Sequence, residues 1–239
     1  MTPRLNITGV WPSPITIAGG WSRASARPWC DEPDTALLRL LRGSAGFLAE
    51  ATEHLIGLGA HTVLSPPLYR SATSVWRKSG YHERHRLQIM ERPLGLTTKK
   101  PEISITRTTT PPWPQVLDLD HRAFDGMWRM SETGLKEAFA ATGTATVLLA
   151  GEGTRIEGYA LVGSHWGISY LHRIAVEPSR RGEGIGTELV RASLTWARGT
   201  LSRVIVLNVR PANEGARRLY EREGFTPTGH HLHLLGYDL

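Results

Sequence analysis

A single cysteine, Cys30, occurs in the 239 residues. One cysteine excludes an internal disulfide and a thiolate metal cluster, and it suits a reducing compartment, so a cytoplasmic location is expected. No apolar run reaches the roughly 18–20 residues that span a bilayer, so no membrane partner is expected. The opening stretch MTPRLNITGVWPSPITIAGGW is broken by Pro12, Pro14 and Gly19. It lacks a compact hydrophobic segment followed by a small-residue cleavage site and is not read as a signal peptide. Long basic blocks are missing too. The net charge of +6 suits an anionic partner, yet the cations form short clusters: Arg84–Arg86, Lys99–Lys100, Arg180–Arg181 and Arg217–Arg218. No helix-turn-helix, aromatic RNA-binding or finger motif accompanies them, so nucleic acid is not an expected partner. Arginine outnumbers lysine, a bias that a GC-rich genome also produces. The histidines form no ligand set: His230–His233 alternate on a strand and read as a solvated face, and no metal is expected. Self-association is left open.

What is present divides in two. The segment ERPLGLTTKKPEISITRTTTPPWP is rich in Thr, Pro and Lys, which predicts a domain over 1–95, a linker over 96–102 and a second domain over 103–239. In the second, QVLDLDHRAFDGMWRMSETGLKEAFAATG carries apolar residues at helical spacing with an interruption near Ser131. ATVLLA and IEGYALVGSHW pair as strands around the turn GEGTR, and ISYLHRIAV is a strand ended by Pro178. A helix is expected from Gly184 to Arg198, then the strand SRVIVLNVR, a helix stopped by Gly224, and the strand HHLHLLGYDL. The order predicts an α/β fold with a mixed central sheet flanked by helices. The first half repeats the end of this pattern at one fixed offset. Gly80 and Tyr81 fall on Gly224 and Phe225, Trp76 on Tyr220, Ala72 on Ala216, and Pro67 on Pro211. HTVLS then lies beside IVLNV, and HRLQIMERPL matches the closing strand. An internal duplication is expected.

The chemistry concentrates in RRGEGIGTELVRASLTWARG, Arg180 to Gly199. A strand ends near Val176 and a helix opens at the loop itself, so backbone N–H groups converge where the helix adds partial positive charge. Glycine at 182, 184 and 186 removes Cβ atoms that would hold a pyrophosphate away from the backbone. The Gly-Lys-Ser/Thr ending of a Walker loop is missing. No acid follows a second parallel strand as a dinucleotide fingerprint requires.

LHRIAVEPSRRGEGIG, followed by VIVLNVRPANEGARRLYEREGF, resembles the GNAT superfamily of acetyl-CoA-dependent N-acetyltransferases, and the resemblance covers 103–239. The strand pair is most similar to the ribosomal-protein alanine acetyltransferases. The first half looks like a shortened, degenerate copy of the same fold, a tandem plan similar to the mycothiol synthases. The resemblance implies that the main chain of Ile174, Ala175 and Val176 pairs with the pantetheine arm of acetyl-CoA. It implies that Arg181, Gly182, Glu183, Gly184, Ile185, Gly186 and Thr187 hold the pyrophosphate, and that Asn213 contacts the cofactor. Tyr220 matches the tyrosine that protonates the departing thiolate, a role suited to a phenol O–H.

One departure stands out. Where the alanine acetyltransferases carry a Glu as general base, this chain has Asn208, whose amide is no base near neutral pH. His172 is the first substitute, since an unperturbed imidazole titrates near 6.5; His165 and Glu132 follow. In the first half, RGSAG at Arg42–Gly46 keeps an Arg and two glycines without the spacing, Trp76 stands for the tyrosine and Tyr69 for the asparagine, so one working site is expected. Phe124 and Trp128 either line the acceptor cleft or pack in the core. The expected activity is acetyl transfer from acetyl-CoA to a primary amine; the alternative is an acyl-CoA-binding regulatory module without turnover.

Overall fold

The computed structural model describes residues 5–95, 97–151 and 155–239. The expected turn GEGTR spans 151–155, and its residues 152–154 lie outside the described residues. In chain order the elements are β1 (Asn6–Thr8), β2 (Ile15–Gly19), β3 (Ser22–Trp29), β4 (Glu32–Arg42), α1 (Ala45–Gly57), β5 (Thr62–Leu64), β6 (Leu68–Tyr69), α2 (Thr73–Lys78), β7 (His82–Pro93) and β8 (Ile105–Thr108). Then come α3 (Trp113–Ala123), α4 (Glu132–Ala140), β9 (Thr144–Ala150), β10 (Gly158–His165), β11 (Ile168–Val176), α5 (Ile185–Gly199), β12 (Val204–Val209), α6 (Glu214–Arg222) and β13 (Thr226–Asp238). Among the described residues no helix is long and apolar enough to cross a membrane.

The chain divides into two compact units, Met1–Leu87 with His231–Leu239, and Gln88–His230. This corrects the expected boundaries at 95 and 103. The physical reason is strand pairing. Residues Gln88–Pro93 of β7 run antiparallel to β12, from Val209↔Gln88 to Val204↔Pro93, so they belong with the second half. The end of β13 pairs with β5, Gly236↔Leu64 to Asp238↔Thr62, and with β6, so it belongs with the first. Each unit takes its closing strand from the other half of the sequence.

Within each unit the strand order is the same. In the second it runs β8-β9-β10-β11-β12-β7, and the single parallel contact is β11 with β12. In the first it runs β1-β2-β3-β4-β5-β13, with β4 parallel to β5. The helix ends repeat as well. Tyr81 N–H donates to the Trp76 carbonyl at 3.1 Å as Phe225 N–H donates to the Tyr220 carbonyl at 3.0 Å. Gly80 and Gly224 take φ of +88° and +85°, the left-handed stop that glycine makes cheaply. What the first unit lacks is a helix pair between its first two strands, where the second has α3 and α4. That omission is what makes it short.

The second unit packs both faces of its sheet. Leu189, Val190, Leu194 and Trp196 of α5 bury against Val162, Leu171, Ile205 and Leu207. On the opposite face Val116, Leu119 and Leu135 of α3 and α4 bury against Tyr159 and Leu161. The first unit has its own core of Ile17, Leu38, Leu48, Leu55, Trp76, Tyr81 and Leu235.

Candidate active site

The site begins with a parallel pair that comes apart. β11 and β12 share register only from Ile168↔Val204 to Leu171↔Leu207. His172 is the extra residue of a β-bulge: Leu161 faces Arg173 and Val162 faces Leu171 across β10, leaving His172 unpaired. A bulge bends its strand and strengthens the local twist. Past it, Arg173–Val176 keep β10 on one edge and have no register partner on β12. Their free main-chain groups face a wedge, which suits a ligand rich in amides.

α5 closes one end of the wedge. It sits close on the sheet because residue 158 is glycine: a Cβ there would lie 2.8 Å from Ile185 Cγ2 and 2.9 Å from Leu189 Cδ1. Its N-cap, Gly184, has φ +90° and no side-chain hydrogen bond caps the helix. The unanswered N–H groups of the first turn are therefore available to an anion. α2 and α3 also start without a side-chain cap, whereas α1 and α4 have one. Ser44 Oγ accepts from Phe47 N–H at the start of α1, and Ser131 Oγ accepts from Gly134 N–H at the start of α4.

A groove of about 800 Å³ follows, lined by Ile174, Ala175, Val176, Arg181, Gly182, Gly184, Ile185, Gly186, Thr187, Asn213 and Tyr220. Nearly the whole expected set meets there. Glu183 is the exception among the loop residues: it does not line the groove, and its carboxylate accepts from Arg180 Nε at 2.6 Å. Asn213 plays a second part, since its Oδ1 accepts from Ala216 N–H at 3.2 Å and caps α6. Tyr220 is 5% exposed, its ring tilted against Phe225 at 5.7 Å. Burial raises its phenol well above the ordinary value, so it stays protonated at any working pH.

The expected base is corrected. His172 is not among the groove-lining residues. Its ring stacks on Tyr170 at 5.8 Å, Nε2 is buried without a partner, and burial lowers its pKa to about 4. The ring is neutral, buried and outside the groove, so it does not reach an amine bound there. His165 lies beside Trp166 and Glu132 pairs with Lys136 at 2.5 Å; neither lines the groove. The solvated reading of the C-terminal histidines also needs amendment. His230 is exposed, whereas His233 is 8% exposed and meets Glu83 Oε2 through Nδ1 at 2.7 Å.

Sequence reasoning missed the floor of the opposite wall. Asp120 of α3 is fully buried and takes Arg173 in a two-point pair, at 2.7 and 2.9 Å, together with the Tyr159 hydroxyl at 2.6 Å. Arg173 also donates to the Trp128 carbonyl at 2.6 Å, its guanidinium lies 3.5 Å over the Phe124 ring, and Met130 N–H donates to Asp120 Oδ1 at 3.0 Å. This network fixes the turn between α3 and α4, so Phe124, Asp125 and Trp128 line the groove. Both aromatics line the groove, and Phe124 also packs against the α3 and α4 core. Asp125 is the sole carboxylate among the lining residues described. Arg210, from the end of β12, stacks 4.6 Å from the Trp128 ring. The signal was present in the sequence: Asp120 follows Val116 by four and Leu119 by one, on the apolar face of a helix, where a charge needs a partner.

A family model described as the acetyltransferase (GNAT) family matches residues 113–225. This stretch belongs to the GNAT acetyltransferase family. It contains the wedge, the glycine loop and Tyr220. The chain is 28% identical over 204 residues to a mycothiol acetyltransferase of Thermomonospora curvata, covering 80% of this chain and 64% of that protein. It is 30% identical over 113 residues to a mycothiol acetyltransferase of Geodermatophilus obscurus, covering 42% of this chain and 35% of that one. With the N-alpha-acetyltransferase RimI of Mycobacterium tuberculosis it shares 42% over 59 residues, 25% of this chain and 35% of that protein. Each match spans less than two thirds of the relative. Among solved structures, a tandem GNAT protein from the clavulanic acid biosynthesis pathway aligns with TM-score 0.65 at 14% identity, covering 100% of this chain and 84% of that one. A GCN5-related N-acetyltransferase from Sphaerobacter thermophilus aligns with TM-score 0.56 at 19% identity, covering 97% of this chain and 82% of that one. At these identities the structural likeness speaks to fold, and the fold is the GNAT fold with a shortened second copy.

Proposed function

We propose that the chain transfers an acetyl group from acetyl-CoA to a primary amine by direct attack in a ternary complex. The observation that carries this is the wedge ending in an uncapped helix N-terminus, with a buried phenol at its side. The main chain of Ile174, Ala175 and Val176 would pair with the pantetheine amides. Arg181, Gly182, Gly184, Ile185, Gly186 and Thr187 would hold the diphosphate, with Asn213 supplying its amide nitrogen. Acetyl-CoA brings the activated thioester; the chain orients it beside the amine and keeps water away. Tyr220, unbonded to other protein groups, would donate its O–H to the sulfur as negative charge develops there. Asp125 is the groove carboxylate to test as acceptor of the ammonium proton.

A second reading, an acyl-CoA-binding module without turnover, draws on Asn208 in the family base position and on the misplaced, acid-shifted His172. One experiment separates them: calorimetry with acetyl-CoA, followed by thiol release with peptide N-termini, lysine and small amines. The transferase reading expects one site per chain and amine-dependent thiol release that drops in Asp125→Asn. Binding without release by any amine would favour the module. No binding would sink both, and two sites would overturn the expectation of one site per chain.

A further inference from the structure

A second cavity, of about 500 Å³, adjoins the groove and shares Thr187 and Arg222 with it. Arg92, Lys99, Arg191, Glu223 and Gly224 contribute to its lining. Arg92, on the β7 segment that closes the second unit, is only 4% exposed. Its Nη2 donates to the Thr97 carbonyl at 2.9 Å, while Nε and Nη1 are buried with no partner. A buried cation with two unanswered donors is costly, and in native proteins such a group usually marks an absent water or ion. The nearby carboxylate does not answer it. Glu223 is held by Arg191, with contacts of 3.2 and 3.3 Å to Nη2 and Nε, and Arg191 also binds Glu188 at 2.8 Å. Arg191 is thereby matched, and Arg92, Lys99 and Arg222 remain as the positive side of the cavity. Residue 224 is glycine at φ +85°, and a Cβ there would lie 3.1 Å from Arg92 Nε; no side chain from that corner covers the guanidinium.

We propose that this pocket binds a phosphate monoester. A dianion accepts from several donors at once, and arginine and lysine answer it with charge-assisted bonds. Two sources carry that chemistry. One is the 3′-phosphate of a CoA nucleotide whose pantetheine end lies in the groove, which the shared residues Thr187 and Arg222 make reachable; this arm rests on the acetyl-CoA reading above. The other is free phosphate.

The test is calorimetry of the full chain with CoA, with 3′-dephospho-CoA and with inorganic phosphate alone, joined to thermal melts in phosphate. Wild type is compared with Arg92→Lys and with Lys99→Gln, an exposed position whose change leaves the groove and the core intact. A nucleotide source predicts CoA binding roughly 10- to 100-fold tighter than dephospho-CoA, the weight of one charge-assisted bond. That gap should narrow in Lys99→Gln while dephospho-CoA affinity holds. A free-phosphate source predicts equal affinities for the two nucleotides and a melting point that rises with phosphate in wild type and less in Lys99→Gln. If neither nucleotide binds but the phosphate response appears and weakens in the variant, the pocket stands and the acetyl-CoA reading falls. Equal nucleotide affinities without a phosphate response overturn the proposal. So does a gap or a response that is unchanged in both variants.

Discussion

Tyr220 owes its suitability to what surrounds it. The ring lies among apolar side chains of the α5 and α6 core, and burial disfavours the phenolate. The hydroxyl therefore keeps its proton and can offer it to sulfur. Tyr220→Phe removes one oxygen and almost no volume, so the melting point should hold. Turnover should fall by roughly 10²–10⁴-fold, the usual weight of a positioned acid, while acetyl-CoA affinity stays within about tenfold. The raised phenol adds a second expectation: the wild-type rate should show no alkaline limb from this group below about pH 10. Wild-type rates carried by the mutant would remove Tyr220 from the mechanism. His172 is the opposite case, a titrating group with no groove to serve. Its folded pKa of about 4 lies below the ordinary 6.5, so between these values the unfolded chain binds the proton first. The stability tied to its neutral form is complete above about pH 6.5 and is lost as pH falls toward 4. Melts from pH 7.5 to 4 should fall more steeply in wild type than in His172→Leu, and parallel curves would show that the imidazole titrates freely.

At the scale of elements, two equivalent helices differ in how they start. α1 spends Ser44 on its own first turn, whereas α5 begins at a bare Gly184. Ser44→Ala should lower stability by about 0.5–2 kcal/mol and leave acetyl-CoA binding alone. Gly184→Ala meets no protein atom within 4 Å, yet φ +90° is strained for any side chain, costing roughly 1–2 kcal/mol. On the proposed binding mode, the Cβ would also stand between the diphosphate and the N–H groups. Binding should thus fall far more than stability, as paired calorimetry and denaturant titration would show. Equal losses in both would mean that the loop serves folding only. The glycine loop was legible in the sequence because a strand, three glycines and a helix start are local signals. The bulge at His172 and the parting of β11 from β12 were not, since register depends on which strand lies alongside. Asn213 was legible as a helix-start residue near the site, but its cap to Ala216 showed only in the fold. The third strand escaped for a different reason. β3 alternates small residues with Arg and Ser, and Ser22, Ala24 and Ala26 form its buried face; too little apolar mass marks such a strand.

At the scale of the whole chain, duplication and exchange pull against each other. The repeat was visible through Trp76, Gly80 and Tyr81, because α2 and α6 stop in the same way. The exchange was not, because HRLQIMERPL reads as the end of the first half whichever sheet it joins. Its second part supplies Met90 and Leu94 to the α5 and α6 core and pairs all along β12. A chain cut at the expected boundary, 103–239, loses that strand and both core residues. It exposes one edge of β12, a row of unpaired N–H and C=O groups that invites association with other chains. A chain starting at Gln88 keeps every strand of the second unit and the whole groove. Size-exclusion chromatography, near-ultraviolet circular dichroism and acetyl-CoA calorimetry on the two should therefore diverge. The 88–239 chain should melt cooperatively and bind one acetyl-CoA, and the 103–239 chain should associate and fail to bind. If the shorter chain were monomeric, cooperative and competent to bind, residues 88–94 would be dispensable to the second unit, and the exchange of closing strands would have no part in its stability.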